Sequence, residues 1–436
     1  MRPLRGVNLG GWLLLEPYLK PSLFVGQCSD DGGCAIDEHS LCTALGPQKA
    51  AEVMHEHWAS WVTYEELSEL RNAGINALRI PIAYWHIVPP RPGENYVAGG
   101  MEYLLRVCEW ATQLGLRVLI ELHSAPGYNN NMDHSGWKNH MGWQISPCPD
   151  EPSKLHSKYI HETIEVLRKL VATLNEHGLI TQCDDAGGGD DGDGGGDGRG
   201  GGPCGTVYGI GIVNEPISFD KTKPVDHQGL ADLYAAALDG GVIPNSLYSV
   251  IDIFEGFEWL VAGGILARHP RLVFDKHRYV GFSEKGMRGA RDEGWLDRFA
   301  CAAMSDGFDL QNASAVAKMR GERMAPLVFG EWSVAVNDCM HWLGGAYHAH
   351  TNFECCGVGD CRTTTAQRHP REWTKEEVAL RRRYAARQME AMESSGSLGW
   401  FYWNFKVRTT RNRAAALSPN VCYCRLLTAN DSISRV

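Results

Sequence analysis

Residues 77–122 read ALRIPIAYWHIVPPRPGENYVAGGMEYLLRVCEWATQLGLRVLIEL, and the pattern in this segment recurs along the chain. It opens and closes on short apolar runs, Ala77–Ile82 and Arg117–Leu122, each too short for a typical helix. Such runs read as strands buried on both faces, which is how parallel sheets are built. Between them, Met101 to Leu114 sets Leu104, Val107, Cys108, Ala111 and Leu114 on one helical face, and Gly115 stops the helix. Strand, helix and strand in that order make a βαβ unit.

Working outward, six more runs of the same kind appear: Arg5–Leu9, Tyr208–Asn214, Tyr248–Ile253, Arg271–His277, Pro326–Glu331 and Gly399–Trp403. The intervening helices are well punctuated. Thr63 and Glu66 form a capping box in a helix closed by Gly74, and Thr374 and Glu377 form another before a helix ending near Gly396. Tyr159–His177 spaces Ile160, Ile164, Leu167, Leu170, Val171 and Leu174 helically. Eight units predict an α/β fold, a (β/α)₈ TIM barrel forming a single catalytic domain over residues 1–410, with an irregular tail at 411–436. Residues 184–202, DDAGGGDDGDGGGDGRGGG, have no apolar side chain beyond one Ala and read as a flexible insert.

Composition narrows the function. With 44% hydrophobic and 22% charged residues, the chain can bury a large core. A net charge of −10 and no Lys/Arg run argue against nucleic acid or an anionic membrane, and suit a neutral substrate. No stretch of 18 apolar residues is present, so no transmembrane helix is expected. The basic start, Met1 to Arg5, runs straight into a strand-like segment, so no signal peptide is expected. The 14 cysteines lack zinc spacing, and leave disulfides, buried thiols and metal ligation open.

In a barrel of this kind, active sites form at the C-terminal ends of the strands. Those ends carry Arg79, His123, Asn214 with Glu215, His277 with Tyr279, Glu331 and Trp403. Taken singly each has a structural reading: Glu331 as a helix-capping acid, His123 as a satisfied core histidine, Arg79 as an ion-pair partner, Trp403 as core. Folding stability does not explain them jointly, because buried carboxylates cost several kcal/mol unless paired. Glu215 and Glu331, from the fourth and seventh strands, would face each other across the mouth and flank a glycosidic bond. At roughly 5–5.5 Å apart they would act with retention through a covalent glycosyl-enzyme. Glu215 is then expected to rest protonated, with a raised pKa, as proton donor. Glu331 is expected to stay ionised beside Arg79 and attack the anomeric carbon. Asn214 would bind a 2-hydroxyl, and Trp403 would floor the sugar ring.

These blocks also carry a resemblance. GVNLGGWLLLEPYLKPSLF (6–24), LRIPIAYW (78–85), ELHSAPGYNNNMDHSG (121–136), NEP (214–216), FGEWS (329–333) and GWFYWNFK (399–406) resemble, in order, the fungal-type exo-β-1,3-glucanases of glycoside hydrolase family 5. The resemblance covers roughly residues 5–406 and implies Glu215 as acid/base and Glu331 as nucleophile. It implies substrate-binding roles for Glu16, Tyr18, Arg79, His123, Asp133, Asn214, His277, Tyr279, Phe282 and Trp403. It further implies no metal or organic cofactor, a β-glucan substrate, a monomer, and a secreted or cell-wall location. A Cys339–Cys361 bridge, and Cys301 paired with Cys422 or Cys424, are implied in the same way. The chain departs from the group at Met132, which stands where the group has an aromatic facing Phe282. It departs again at WNFKVR after strand 8 and in the final residues. The function expected is exo-acting, retaining hydrolysis of β-1,3-glucan to glucose. The alternatives are a glucosidase or transglycosylase of β-1,6 or mixed linkage, and a non-catalytic glucan-binding barrel.

Overall fold

The computed structural model describes residues 2–27, 34–143, 154–180, 205–218, 224–253, 269, 271–281, 293–301, 325–335, 343 and 374–406. Eight parallel strands close into a barrel in chain order: β1 (Leu4–Asn8), β2 (Ala77–Ala83), β3 (Arg117–Ser124), β4 (Val207–Gly211), β5 (Tyr248–Asp252), β6 (Leu272–Arg278), β7 (Leu327–Trp332) and β8 (Gly399–Tyr402). All eight predicted runs are strands, with ends that differ by at most three residues. The atypical sequence around strand 8 does not disturb closure, since β8 pairs with both β1 and β7.

Helices pack outside this ring: α1 (Glu38–Leu45), α2 (Pro47–Trp61), α3 (Tyr64–Asn72), α4 (Met101–Leu114), α5 (Lys154–Glu176), α6 (His227–Asp239), α7 (Glu293–Cys301) and α8 (Lys375–Ser394). The caps are where their residues put them. Thr63 and Thr374 form reciprocal boxes with Glu66 and Glu377, and Gly115 ends α4 at φ 64°, a backbone conformation costly for any side chain. The segments 184–202 and 411–436 lie outside the described residues.

Side chains two apart along a strand share a face, so each strand delivers one column into the barrel. At the lower end these columns are apolar: Leu4, Ala77, Leu119, Tyr248, Val250, Val273, Val328 and Phe401 pack together. One step further along the same faces stand Arg79, Glu121, Asp252 and Asp275, with Asn8 two steps beyond Leu4, all buried. The interior thus turns from hydrophobic to charged over one residue repeat. That change sets the depth of the site.

Candidate active site

Arg79 on β2 is the hub of the charged layer. Its Nη1 donates to Asn8 Oδ1 and to Glu331 Oε1, each at 2.8 Å, and its Nη2 donates to Asn214 Oδ1 at 2.9 Å. Glu121 lies 3.3 Å from Nη2 and Asp275 3.9 Å from Nε. Burial works against the guanidinium's charge, but Glu121, Glu331 and Asp275 outweigh it and raise its pKa above the ordinary value.

His277 on β6 is a second cationic centre. Register sets it beside Glu331 on β7, and its Nδ1 lies 2.6 Å from Glu215 Oε1 and 3.6 Å from Glu331 Oε2. On its other side, Nε2 is 3.6 Å from Asp275 and 3.8 Å from Asp252. Burial opposes a charged imidazole, but Glu331, Asp252 and Asp275 push its pKa well above the usual histidine value.

Glu215 follows the end of β4 with φ 39°, a left-handed conformation that non-glycine residues seldom adopt. Bonds on both sides of the peptide hold it: its N–H donates to Asp252 at 2.9 Å, and Asn130 Nδ2 donates to its carbonyl at 3.1 Å. His134 Nε2 stands 3.5 Å from the carboxylate's second oxygen. Burial raises the Glu215 pKa, yet the bond and charge of His277, with His134 and His123 behind, bring it down to about 2. The raised pKa expected for a resting proton donor is therefore corrected. Three further carboxylates share the His277 imidazole and favour its charged form over a protonated Glu215.

Glu331 is held differently. Beyond Arg79, the Tyr279 hydroxyl donates to its Oε2 at 2.6 Å. Ligand atoms of Glu215, His277 and Glu331 all lie within 4.8 Å of one another. Such a trio has the spacing to ligate a metal ion, but Arg79 and His277 already supply the positive charge. For carboxylates flanking a glycosidic bond, separations of roughly 5–5.5 Å go with direct nucleophilic attack. Separations of about 6.5–9.5 Å instead leave room for an intervening water.

The match to known proteins agrees with this chemistry. The family model described as "Cellulase (glycosyl hydrolase family 5)" matches residues 46–147. A probable glucan 1,3-beta-glucosidase A of Aspergillus niger is 30% identical over 410 residues, covering 92% of this chain and 82% of the relative.

The chain belongs to glycosyl hydrolase family 5.

A glucan 1,3-beta-glucosidase of Pichia angusta is 27% identical over 412 residues, with 93% and 82% of the two chains covered. Among solved structures, a rutinosidase from Aspergillus niger superposes with a TM-score of 0.62 over 93% of this chain and 90% of its own, at 19% identity. That similarity speaks for the fold alone.

The residues named from the sequence fall in three groups in this family 5 barrel. Arg79, Asn214, Glu215, His277, Tyr279 and Glu331 are brought into contact through the bonds above, and His123 joins them with Nε2 3.4 Å from Asn214 Nδ2. Tyr18, Trp403 and Glu16 border them. Trp403 Nε1 donates to the Tyr18 hydroxyl, and its ring lies parallel to His123 at 5.9 Å. Burial, followed by Asp133, Glu331 and Glu215, holds the Glu16 carboxyl well above the carboxylate range. Asp133 is buried in the loop after β3, its pKa lifted to about 6 chiefly by burial. Phe282, Cys339, Cys361, Cys422 and Cys424 lie outside the described residues.

Cys301 ends α7 as an exposed residue, and the two cysteines expected to pair with it are among those outside the described residues. Cys34, not singled out from the sequence, is disulfide-bonded. Reading only strand ends also missed Asn8, Glu121, Asp252, Asp275 and His134. Two of these had a signal: Glu121 and Asp275 stand two residues before His123 and His277, so each pair shares a face.

Gly330 follows from the same crowding. Its N–H donates to Asp275 at 2.6 Å, and a Cβ here would meet Asp275 Oδ2 at 2.1 Å. Gly330→Ala is expected to displace that carboxylate and to destabilise the fold by about 1–3 kcal/mol. Urea unfolding measures this, and an unchanged midpoint would show that Asp275 has room to move.

Proposed function

We propose that this family 5 enzyme is a retaining, exo-acting glucan 1,3-β-glucosidase, which releases glucose from the non-reducing end of β-1,3-glucan. Relatives bearing that name, aligned over 92–93% of this chain and 82% of their own length, support the substrate class. The observation that carries the mechanism is the proximity of Glu215 and Glu331, within 4.8 Å and differently bonded.

In this reading Glu331 attacks the anomeric carbon. Arg79 and Tyr279 each donate to one of its oxygens and fix which lone pair points at the sugar. Glu215 protonates the departing oxygen. Because its proton rests on His277, donation begins with transfer from Nδ1 across the 2.6 Å bond, driven by charge building on the leaving group. As Glu331 gives up its charge to the new ester bond, His277 loses an attractive neighbour and yields its proton more readily. Water then enters on the leaving-group side, Glu215 takes its proton, and the ester is cleaved with net retention. Asn214 meets the 2-hydroxyl, and Trp403 with His123 walls the ring.

Incubation with laminarin tests this, following the products and their anomeric form over the first minutes. Glucose alone, in the β-configuration, is the expected result. A ladder of oligosaccharides would remove the exo assignment, and α-glucose would remove retention. A second reading, cleavage of β-1,6 or mixed linkages, draws on Met132, a flexible thioether at the start of the Asp133–Ser135 turn. Faster glucose release from a β-1,6-linked chain than from laminarin would favour it.

A further inference from the structure

An amide side chain fits a site equally well either way round, and only its hydrogen-bond partners decide which end faces a substrate. At Asn214 both ends are engaged. Its Oδ1 accepts from Arg79 Nη2 at 2.9 Å, and its Nδ2 lies 3.4 Å from His123 Nε2. A guanidinium can only donate, so the first contact fixes the oxygen. The second works only if His123 Nε2 carries a lone pair. Burial keeps that imidazole neutral, its pKa near 3, so it bears a single ring N–H. The position of this one hydrogen then sets whether Asn214 is held or repelled.

Glu121 determines that position. Its Oε2 lies 2.9 Å from His123 Nδ1, and above the pKa of about 7 to which burial lifts it, Glu121 is a carboxylate that can only accept, which draws the hydrogen to Nδ1. Its Oε1 lies 3.3 Å from the Arg79 Nη2 that serves Asn214. Glu121, His123, Asn214 and Arg79 thus close a ring in which none is more than 3% exposed. Arg79 has Glu331 and Asp275 as further carboxylate partners, so charge balance alone does not require Glu121 to reach His123.

Resting on the glycosidase reading above, we propose that Glu121 is a positioning residue: it fixes the Nδ1–H tautomer of His123, which locks the Asn214 amide with its nitrogen toward His123 and a second N–H free for the sugar 2-hydroxyl. With the opposite tautomer, two N–H groups would oppose each other at Nε2. Turning the amide over would relieve that clash only by setting its NH₂ against Arg79. Either outcome costs the contact that strengthens in the transition state.

Two measurements test this. Nitrogen NMR of the full-length, ligand-free protein with ¹⁵N-labelled histidine reads the His123 tautomer directly, assigned by the signal lost in His123→Gln. Protonated Nδ1 with bare Nε2 is expected, and an Nε2–H tautomer overturns the proposal whether or not the protein cleaves glucosides. Kinetics of Glu121→Gln on 4-nitrophenyl β-glucoside and its 2-deoxy analogue give the second. On the glucoside kcat is expected to fall roughly 10- to 100-fold, the scale of one transition-state hydrogen bond. KM, and turnover of the 2-deoxy substrate, should each change by less than about 3-fold. An equal fall on both substrates, or no fall, overturns the proposal. If the wild type leaves every β-glucoside intact, the glycosidase reading itself fails while the tautomer result still decides the role of Glu121. If Glu121→Gln does not fold, the wild-type spectrum decides it.

Discussion

Glu331→Ala is expected to cut turnover of an aryl β-glucoside by at least about 10⁴-fold, the scale on which enzymes lose activity with their nucleophile. Azide is expected to restore it, giving α-glucosyl azide. The stereochemistry follows from the two faces of the sugar. With the carboxylate gone, azide enters from the Glu331 side while the leaving group departs toward Glu215, and a single displacement inverts the centre. Glu215→Ala should behave oppositely. An activated aryl leaving group needs little acid help, so the glycosyl-enzyme still forms on Glu331, azide enters from the other side, and two inversions give the β-azide. Proton NMR of the products distinguishes the anomers. A β-azide from Glu331→Ala would exchange the two assignments, and undiminished turnover would remove Glu331 from the mechanism. The contacts argue for the assignment made here: Glu331 is fixed by two donors, Arg79 at 2.8 Å and Tyr279 at 2.6 Å, while Glu215 shares its proton with an imidazole. A nucleophile needs a fixed lone pair and a stable charge; an acid/base needs a partner with which to exchange.

The barrel was legible because each strand is an apolar run between good stop signals, and the periodicity of Met101–Leu114 admits no other reading. Glu215 and Glu331 were legible for a related reason, as acids at the ends of apolar strands. The residues around them were less so. Asp252 closes a strand as Glu331 nearly does, but no histidine or aromatic beside it in sequence marks it; its partners, Glu215 and His277, come from β4 and β6. His134 lies in a loop whose path depends on Asn129 and Asn130, which bind the backbone at Asn214 and Glu215 after the neighbouring strand. The pKa of Glu215 was beyond reach from the sequence. Burial alone predicts that it rises. The fall to about 2 depends on a 2.6 Å contact and on His277 being charged, and that charge depends on three other carboxylates. Local pattern identifies which groups enter the site, whereas the proton's resting place is a property of the whole charged layer.

That dependence makes Arg79 the residue whose loss the fold should feel most. Arg79→Met keeps much of the buried stem and deletes the charge, leaving Glu121, Asp275 and Glu331 without the cation they share. Removing one partner of a buried ionic network costs about 3–5 kcal/mol, because the remaining charges stay desolvated and uncompensated. The cost should also depend on pH in a defined direction. Burial already raises Glu121 to about 7 while Arg79 pulls it down, and Arg79 likewise helps hold Asp275 low. Without the guanidinium both carboxyls move up. A carboxyl whose folded pKa lies above its unfolded value of about 4 binds a proton more readily when folded, so acidification through the folded pKa stabilises the fold. The deficit of Arg79→Met relative to wild type should therefore be largest at mildly alkaline pH, and should shrink as pH falls through 7 and the orphaned Glu121 takes up a proton. Urea unfolding of both proteins at pH 8 and pH 5 measures the difference. An equal deficit at the two pH values would mean that the substitution acts through lost packing, with His277 alone sufficient to balance the layer.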